Sequence, residues 1–248
     1  MTHTRILRGL SAAAAVVALA LPATAAIAEP VDPSTPGRIE VSRADVNASN
    51  EKVRQAYGAL VQMWTNQFRQ IHEVFEAPRI ARYERAAMTS CGVIRSDNAE
   101  YCPEDNTIYY DEVFVAGMAK AAADQLNTDG DMAAVGIIAH EMGHAVAMQL
   151  GHRSRSSYEN ESTADCLAGA FTLQSQKDGN LEKGDIQEAF YGMSLAGDPT
   201  PESTGNPRVD RMIQARIARQ SHGTKEQRMQ NFRSGLEGGP SACLAELR

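Results

Sequence analysis

Residues 131–150 read Asp131-Met132-Ala133-Ala134-Val135-Gly136-Ile137-Ile138-Ala139-His140-Glu141-Met142-Gly143-His144-Ala145-Val146-Ala147-Met148-Gln149-Leu150. The run is apolar on nearly every side, which predicts a buried helix rather than an amphipathic surface one. Its centre is interrupted by His140, Glu141 and His144. Residues four apart stack on one helix face, so His140 and His144 can aim both imidazoles at one cation. Glu141 lies about 100° further round, near enough to handle a proton there without ligating the metal. This is the HExxH arrangement of two metal ligands and a general base. Chance produces it in on the order of one chain per hundred, so it needs context. Gly143 costs about 1 kcal/mol against Ala inside a helix, and reads as room for another element to approach closely. His72-Glu73 starts the same pattern, but Glu76 stands where the second histidine belongs. That pair reads as an exposed helix face.

The context is Asn160-Glu161-Ser162-Thr163-Ala164-Asp165. A catalytic zinc takes three protein ligands and keeps a position open. Glu161 is the candidate third ligand, and one catalytic Zn2+ is the expected cofactor. Asp165, one turn on, is placed to orient a ligating imidazole through its other nitrogen. The alternative is an acidic helix start stabilised by the helix dipole.

Working outward, the 248 residues are 43% hydrophobic and 22% charged with a net charge of −7, an ordinary balance for a folded domain. An acidic chain is a poor phosphate-backbone binder, so nucleic acid is not an expected partner. Residues 1–28 have the layout of a signal peptide: Arg5 and Arg8, an apolar run over 12–21, Pro22, then Ala26-Ile27-Ala28. The run is about half the ~20 residues a bilayer span needs, so no stable membrane insertion is expected after cleavage. A secreted or periplasmic destination makes the four cysteines a disulfide framework. Cys91 and Cys102 are near neighbours and are paired, leaving Cys166 with Cys243; four buried thiols are the alternative. None forms the CxxC pairs of a zinc ribbon.

Residues 29–50, rich in Pro, Ser and Asp, read as a flexible linker. From Glu51 onward Val53, Tyr57, Leu60, Trp64, Phe68, Ile71 and Phe75 recur every three or four residues, predicting one long helix stopped by Pro78. Asn106-Thr107-Ile108-Tyr109-Tyr110 is the best strand candidate. Its residues 107–110 are the candidate edge for an extended peptide, the alternative being an ordinary core strand. Further helices are expected over 111–125, 131–150, 159–177, 184–195, 210–221 and 224–235. Residues 51–248 therefore form one α+β domain, mostly helical with a small sheet.

HExxH followed by ExxAD resembles the gluzincin branch of zinc metallopeptidases, and more narrowly the bacterial neutral zinc metallopeptidase family. The matching pieces are Ser90-Cys91-Gly92, Tyr101-Cys102-Pro103 with Asp105, Tyr109, Asp111, the His140–His144 motif and Ala164-Asp165-Cys166-Leu167-Ala168-Gly169. Near the end come Ser221-His222-Gly223-Thr224, Gln227-Arg228, Phe232 and Cys243. Gly197-Asp198-Pro199-Thr200-Pro201 departs from the family's Gly-Asp-Asp by its prolines. The resemblance implies a zincin-like domain with an HExxH active-site helix, and an exported zinc-dependent endopeptidase acting on peptides or proteins. Glu141 is then its general base. A zinc-binding interaction module with little activity, and an amidase acting on cell-wall peptides, are the alternatives.

Peptidases of this class stabilise the developing oxyanion with zinc plus a later donor. His222, beside Gly223 at a helix junction, is the candidate for that catalytic role. The competing reading is that Thr224 and Gln227 form a capping box and the segment only joins two helices.

Overall fold

The computed structural model describes residues 40–199, 201–220 and 222–244. The expected signal peptide (1–28) and residues 29–39 of the expected linker lie outside them. Helix α1 (Arg43–Gln70) begins inside the stretch read as linker, which corrects the boundary at residue 50. Its start is a capping box: the Ser42 side chain accepts from the Asp45 N–H, and the Ser42 N–H donates to Asp45 Oδ2 at 2.8 Å. Val46 extends the buried stripe through Val53, Leu60, Met63, Trp64 and Phe68. At the other end α1 stops at Gln70, well before Pro78, the expected stop. His72 takes a left-handed φ of 63°, and the chain turns so that Phe75 still packs on Phe68, ring centroids 5.0 Å apart. The apolar period therefore outlasts the helix, and His72, in the turn, and Glu73, just after it, are exposed but not on a helix face as expected.

Five short strands follow: β1 (Arg79–Tyr83), β2 (Ala86–Thr89), β3 (Gly92–Arg95), β4 (Ala99–Cys102) and β5 (Thr107–Asp111). Strands β2 and β3 make an antiparallel hairpin, and the main sheet has the order β1-β5-β4. Strand β5 pairs parallel with β1 and antiparallel with β4, so it is the central strand. The expectation of a free edge at 107–110 is thereby overturned. A β-branched and aromatic run marks a strand buried on both flanks, and the open flank belongs to the more polar β4.

The remaining elements are α2 (Glu112–Leu126), α3 (Asp131–Gln149), α4 (Ser157–Lys177), α5 (Asp185–Leu195), α6 (Pro207–Gln220), α7 (Lys225–Gly238) and α8 (Pro240–Cys243). Asp111 caps α2 by accepting from the Val113 N–H at 2.9 Å. Helix α3 is buried along most of its length and packs against α1, α2, α4 and α5. The domain is the mostly helical α+β arrangement expected, with the HExxH helix at its centre. Gly143 is where α4 comes closest: a Cβ there would stand 2.9 Å from both Cα and O of Ala164. The close approach expected at that glycine is real. Both disulfides are present, Cys91–Cys102 anchoring the end of β4 and Cys166–Cys243 tying α4 to α8.

Candidate metal centre

The α3 register puts His140 and His144 on one face, with Nε2 atoms 3.2 Å apart. Helix α4 is capped by Ser156, whose side chain accepts from the Glu159 N–H, and its first turns carry Glu161 to the same point. Glu161 Oε2 lies 3.1 Å from His140 Nε2, and Oε1 lies 3.7 Å from His144 Nε2. For a tetrahedral ion with bonds of about 2.0–2.1 Å, ligand atoms stand about 3.3 Å apart, so these separations fit zinc. Two imidazole nitrogens and a carboxylate converging within 4.8 Å form a donor set that a borderline cation takes.

Around these three stands a shell of buried charge. Asp165, fully buried, lies with Oδ1 2.8 Å from His140 Nδ1. Arg228, on α7, donates from Nη2 to that oxygen at 2.6 Å and from Nε to both carboxylate oxygens. Its Nη1 donates to the Ala196 carbonyl at 3.0 Å. Burial alone would lower the His140 pKa, but the Asp165 and Glu161 carboxylates outweigh it and raise it to about 9. Burial and the neighbouring His140 cation push His144 down to about 4. Burial works to raise Glu161, yet both histidines, with a contribution from His222, hold it at about 2.

Glu141 faces the sheet instead of the three-residue cluster. It is buried, which raises its pKa, and the Tyr101 N–H donates to its Oε2 at 2.8 Å. That bond fixes how β4 presents itself. The Asn98 carbonyl accepts from the Asp111 N–H, so in the antiparallel alternation residues 99 and 101 turn their backbone groups away from β5. An open cleft of about 780 Å³ runs between this edge and the start of α4, lined by Ala99, Tyr101, Glu141, Asn160 and His222.

His222 reaches the rim of the cleft. Its N–H donates to Asp198 Oδ2 at 2.8 Å, its Nδ1 lies 3.7 Å from Asp198 Oδ1, and the side chain is 60% exposed. The Thr224–Gln227 capping box expected at this junction forms. Arg228 was not singled out by its chemistry. In sequence it is one arginine on a polar helix, and only its burial beside Phe232 distinguishes it.

The family model described as "Putative neutral zinc metallopeptidase" matches residues 31–245. The chain belongs to that family. Two proteins it resembles are the "Uncharacterized protein YpfJ" of Escherichia coli K12 and "Uncharacterized protein Rv2575" of Mycobacterium tuberculosis H37Rv. The first is 33% identical over 199 residues, covering 73% of this chain and 65% of the relative. The second is 28% identical over 193 residues, covering 68% of this chain and 62% of the relative. The chain thus spans a little under two thirds of the length of these relatives. No solved structure matches it.

Proposed function

We propose that the chain is an exported zinc-dependent endopeptidase in which His140, His144 and Glu161 hold the ion and Glu141 is the general base. The observation that carries this reading is the placement of Glu141 between the three-residue donor set and an open strand edge. Zinc bound there supplies Lewis-acid polarisation of a carbonyl and brings the pKa of a water near 7.

The other steps belong to the protein. An extended peptide pairs along β4 through the backbone groups of Ala99 and the Tyr101 carbonyl, which sets its scissile bond beside Glu141. Glu141 takes a proton from the attacking water and returns it to the leaving nitrogen, and its raised pKa suits both transfers. The Tyr101 N–H holds the carboxylate in position through Oε2 and leaves Oε1 for the proton. Asp165 and Arg228 lock the His140 ring by its Nδ1 side. His222 donates to the developing oxyanion from the rim. Export is supported by the leader at 1–28 and by two disulfides, and among the described residues no helix is long and apolar enough to cross a membrane.

The test is metal analysis of the purified mature protein together with cleavage of an unstructured protein, with and without chelator. One zinc per chain and chelator-sensitive cleavage are expected. Glu161→Ala should lose zinc affinity; retention of stoichiometric zinc at unchanged affinity would overturn the ligand assignment.

A further inference from the structure

A second group of oxygens lies at the opposite end of the HExxH helix. Asp129 and Asp131, from the turn that starts α3, meet Asp185 and Glu188, from the start of α5, with one ligand atom of each within 4.8 Å of all the others. Asp185 and Glu188 are buried, at 4% and 0% exposure. From residue 131 to residue 140 is about 14 Å along a helix, so this group is separate from the zinc ligands.

Each inner carboxylate spends one oxygen on a protein partner and turns the other inward. Asp131 Oδ2 takes Lys52 Nζ at 2.5 Å, Asp185 Oδ2 accepts from the Glu182 N–H at 2.7 Å, and Glu188 Oε2 accepts from the Met132 N–H at 2.9 Å. The second oxygens, Asp131 Oδ1, Asp185 Oδ1 and Glu188 Oε1, are buried and have no hydrogen-bond partner among the described residues. The same is true of the neighbouring hydroxyl, Thr128 Oγ1. Gly184 keeps this corner open. A Cβ there would stand 2.6 Å from Thr128 Cγ2 and 3.7 Å from Glu188 Oε1.

The charge balance points the same way. Lys52 is the cation paired with this group, against four carboxylates. Two helix N-termini offset part of the excess. Buried carboxylate oxygens are otherwise paired or coordinate a metal, and here the inner ones are unpaired. Burial, with the charges of Asp131, Glu188 and Asp129, raises Asp185 to about 6.

We infer that Asp129, Asp131, Asp185 and Glu188, with Thr128 Oγ1, form a calcium site that clamps the start of the HExxH helix to the start of α5. The donors are all oxygen, which selects a hard cation over zinc. Ca2+ bonds of about 2.3–2.6 Å give a coordination sphere about 5 Å across, which takes in oxygens spread over 4.8 Å. Mg2+ keeps several waters and only one or two carboxylates, and does not suit a site built from four. Gly130, the N-cap of α3, has no side-chain oxygen to offer, and Glu188 of the clamp supplies an acceptor for that first turn from α5.

The experiment uses the mature protein, stripped of metal, reloaded with one equivalent of zinc and titrated calorimetrically with CaCl2. One further ion should bind per chain with Kd at or below about 1 mM. At about 5 mM CaCl2 the melting temperature should rise by several degrees, and MgCl2 should raise it less. Asp185→Asn and Glu188→Gln should each weaken calcium binding at least ~10-fold with zinc content unchanged. In calcium-free buffer both variants should melt at or above the wild-type temperature, because each removes an uncompensated buried charge. Absence of calcium binding by the wild type overturns the proposal, as does unchanged binding by the two variants. Because zinc content is read in the same samples, failure here is distinct from failure of the zinc centre.

Discussion

Arg228 and His140 hold the same oxygen of Asp165, at 2.6 Å from Nη2 and 2.8 Å from Nδ1. The carboxylate is fully buried, so its charge is tolerable only because both partners are present. Asp165→Asn should keep zinc but cost ~10–100-fold in affinity or turnover, the range for groups that orient a ligand. Arg228→Met should cost more in folding, about 3–5 kcal/mol, because it strands the Asp165 charge. The double variant should recover part of that loss. Thermal melts of the three variants, read beside zinc affinity, check the ordering.

Glu141→Gln separates base from ligand. It can still accept the Tyr101 N–H, so fold and zinc content should be unchanged. Turnover should fall at least ~100-fold, an ordinary acid–base contribution. Loss of zinc in this variant would mean that Glu141 is a ligand.

The zinc-free protein should carry a proton on His140 at neutral pH. That group sits at about 9 in the fold against 6.5 unfolded. The stabilisation from its pairing is therefore complete below pH 6.5 and lost as pH rises through about 9. His144, lowered to about 4, has the opposite sign: its contribution is present above 6.5 and lost as pH falls toward 4. Melts of the zinc-free protein across this range should show a maximum near pH 6.5 with a decline on each side. Zinc uptake at pH 7 should release about one proton, read from calorimetry in buffers of different ionisation enthalpy.

Cys91–Cys102 closes a short loop of sequence separation 11 at the end of the open strand. Replacing both cysteines by Ser should cost about 2–3 kcal/mol in the chain-entropy model. It should also raise KM for an extended substrate more than it lowers kcat, because β4 loses its anchor. Equal loss in both would place the bridge outside peptide binding.

His222→Ala should leave zinc occupancy full and lower turnover by on the order of 100-fold if the imidazole meets the oxyanion. Its exposed position, paired only loosely with Asp198, makes a purely structural role a small contributor to melting temperature. Near-normal turnover with a lower melting temperature would assign the residue to the cap at Thr224.

The helices were legible wherever an apolar period ran through them, and the expected bounds of α2, α3 and α4 fall close to the observed ones. The exceptions have physical causes. The first turns of α1 are started by Ser42 and Asp45, a polar signal inside a stretch whose composition reads as linker. Strands β1 to β4 carry no β-branched and aromatic run like that of β5, and the β2–β3 hairpin is largely exposed, so the sequence pattern marks none of the four. The first five candidate site residues come together because helix spacing fixes three of them and one helical turn relates Glu161 to Asp165. Arg228 and the four carboxylates of the inferred calcium site come from segments far apart in the chain. Only the packing of α7 on α4, and of α5 on α3, makes neighbours of them.

The contact between Gly143 and Ala164 bears on more than packing. The two histidines ride on one helix and Glu161 on the other, so the gap between the helix axes sets the bite of the chelate. Here that gap is backbone against backbone, with no side chain to compress or relax. A methyl group at residue 143 would drive Ala164 outward by several tenths of an ångström and carry the Glu161 carboxylate with it. The histidines would keep their mutual spacing. On the proposed ligand set, the size of the ion would be gauged by a rigid caliper whose jaws meet at a missing side chain.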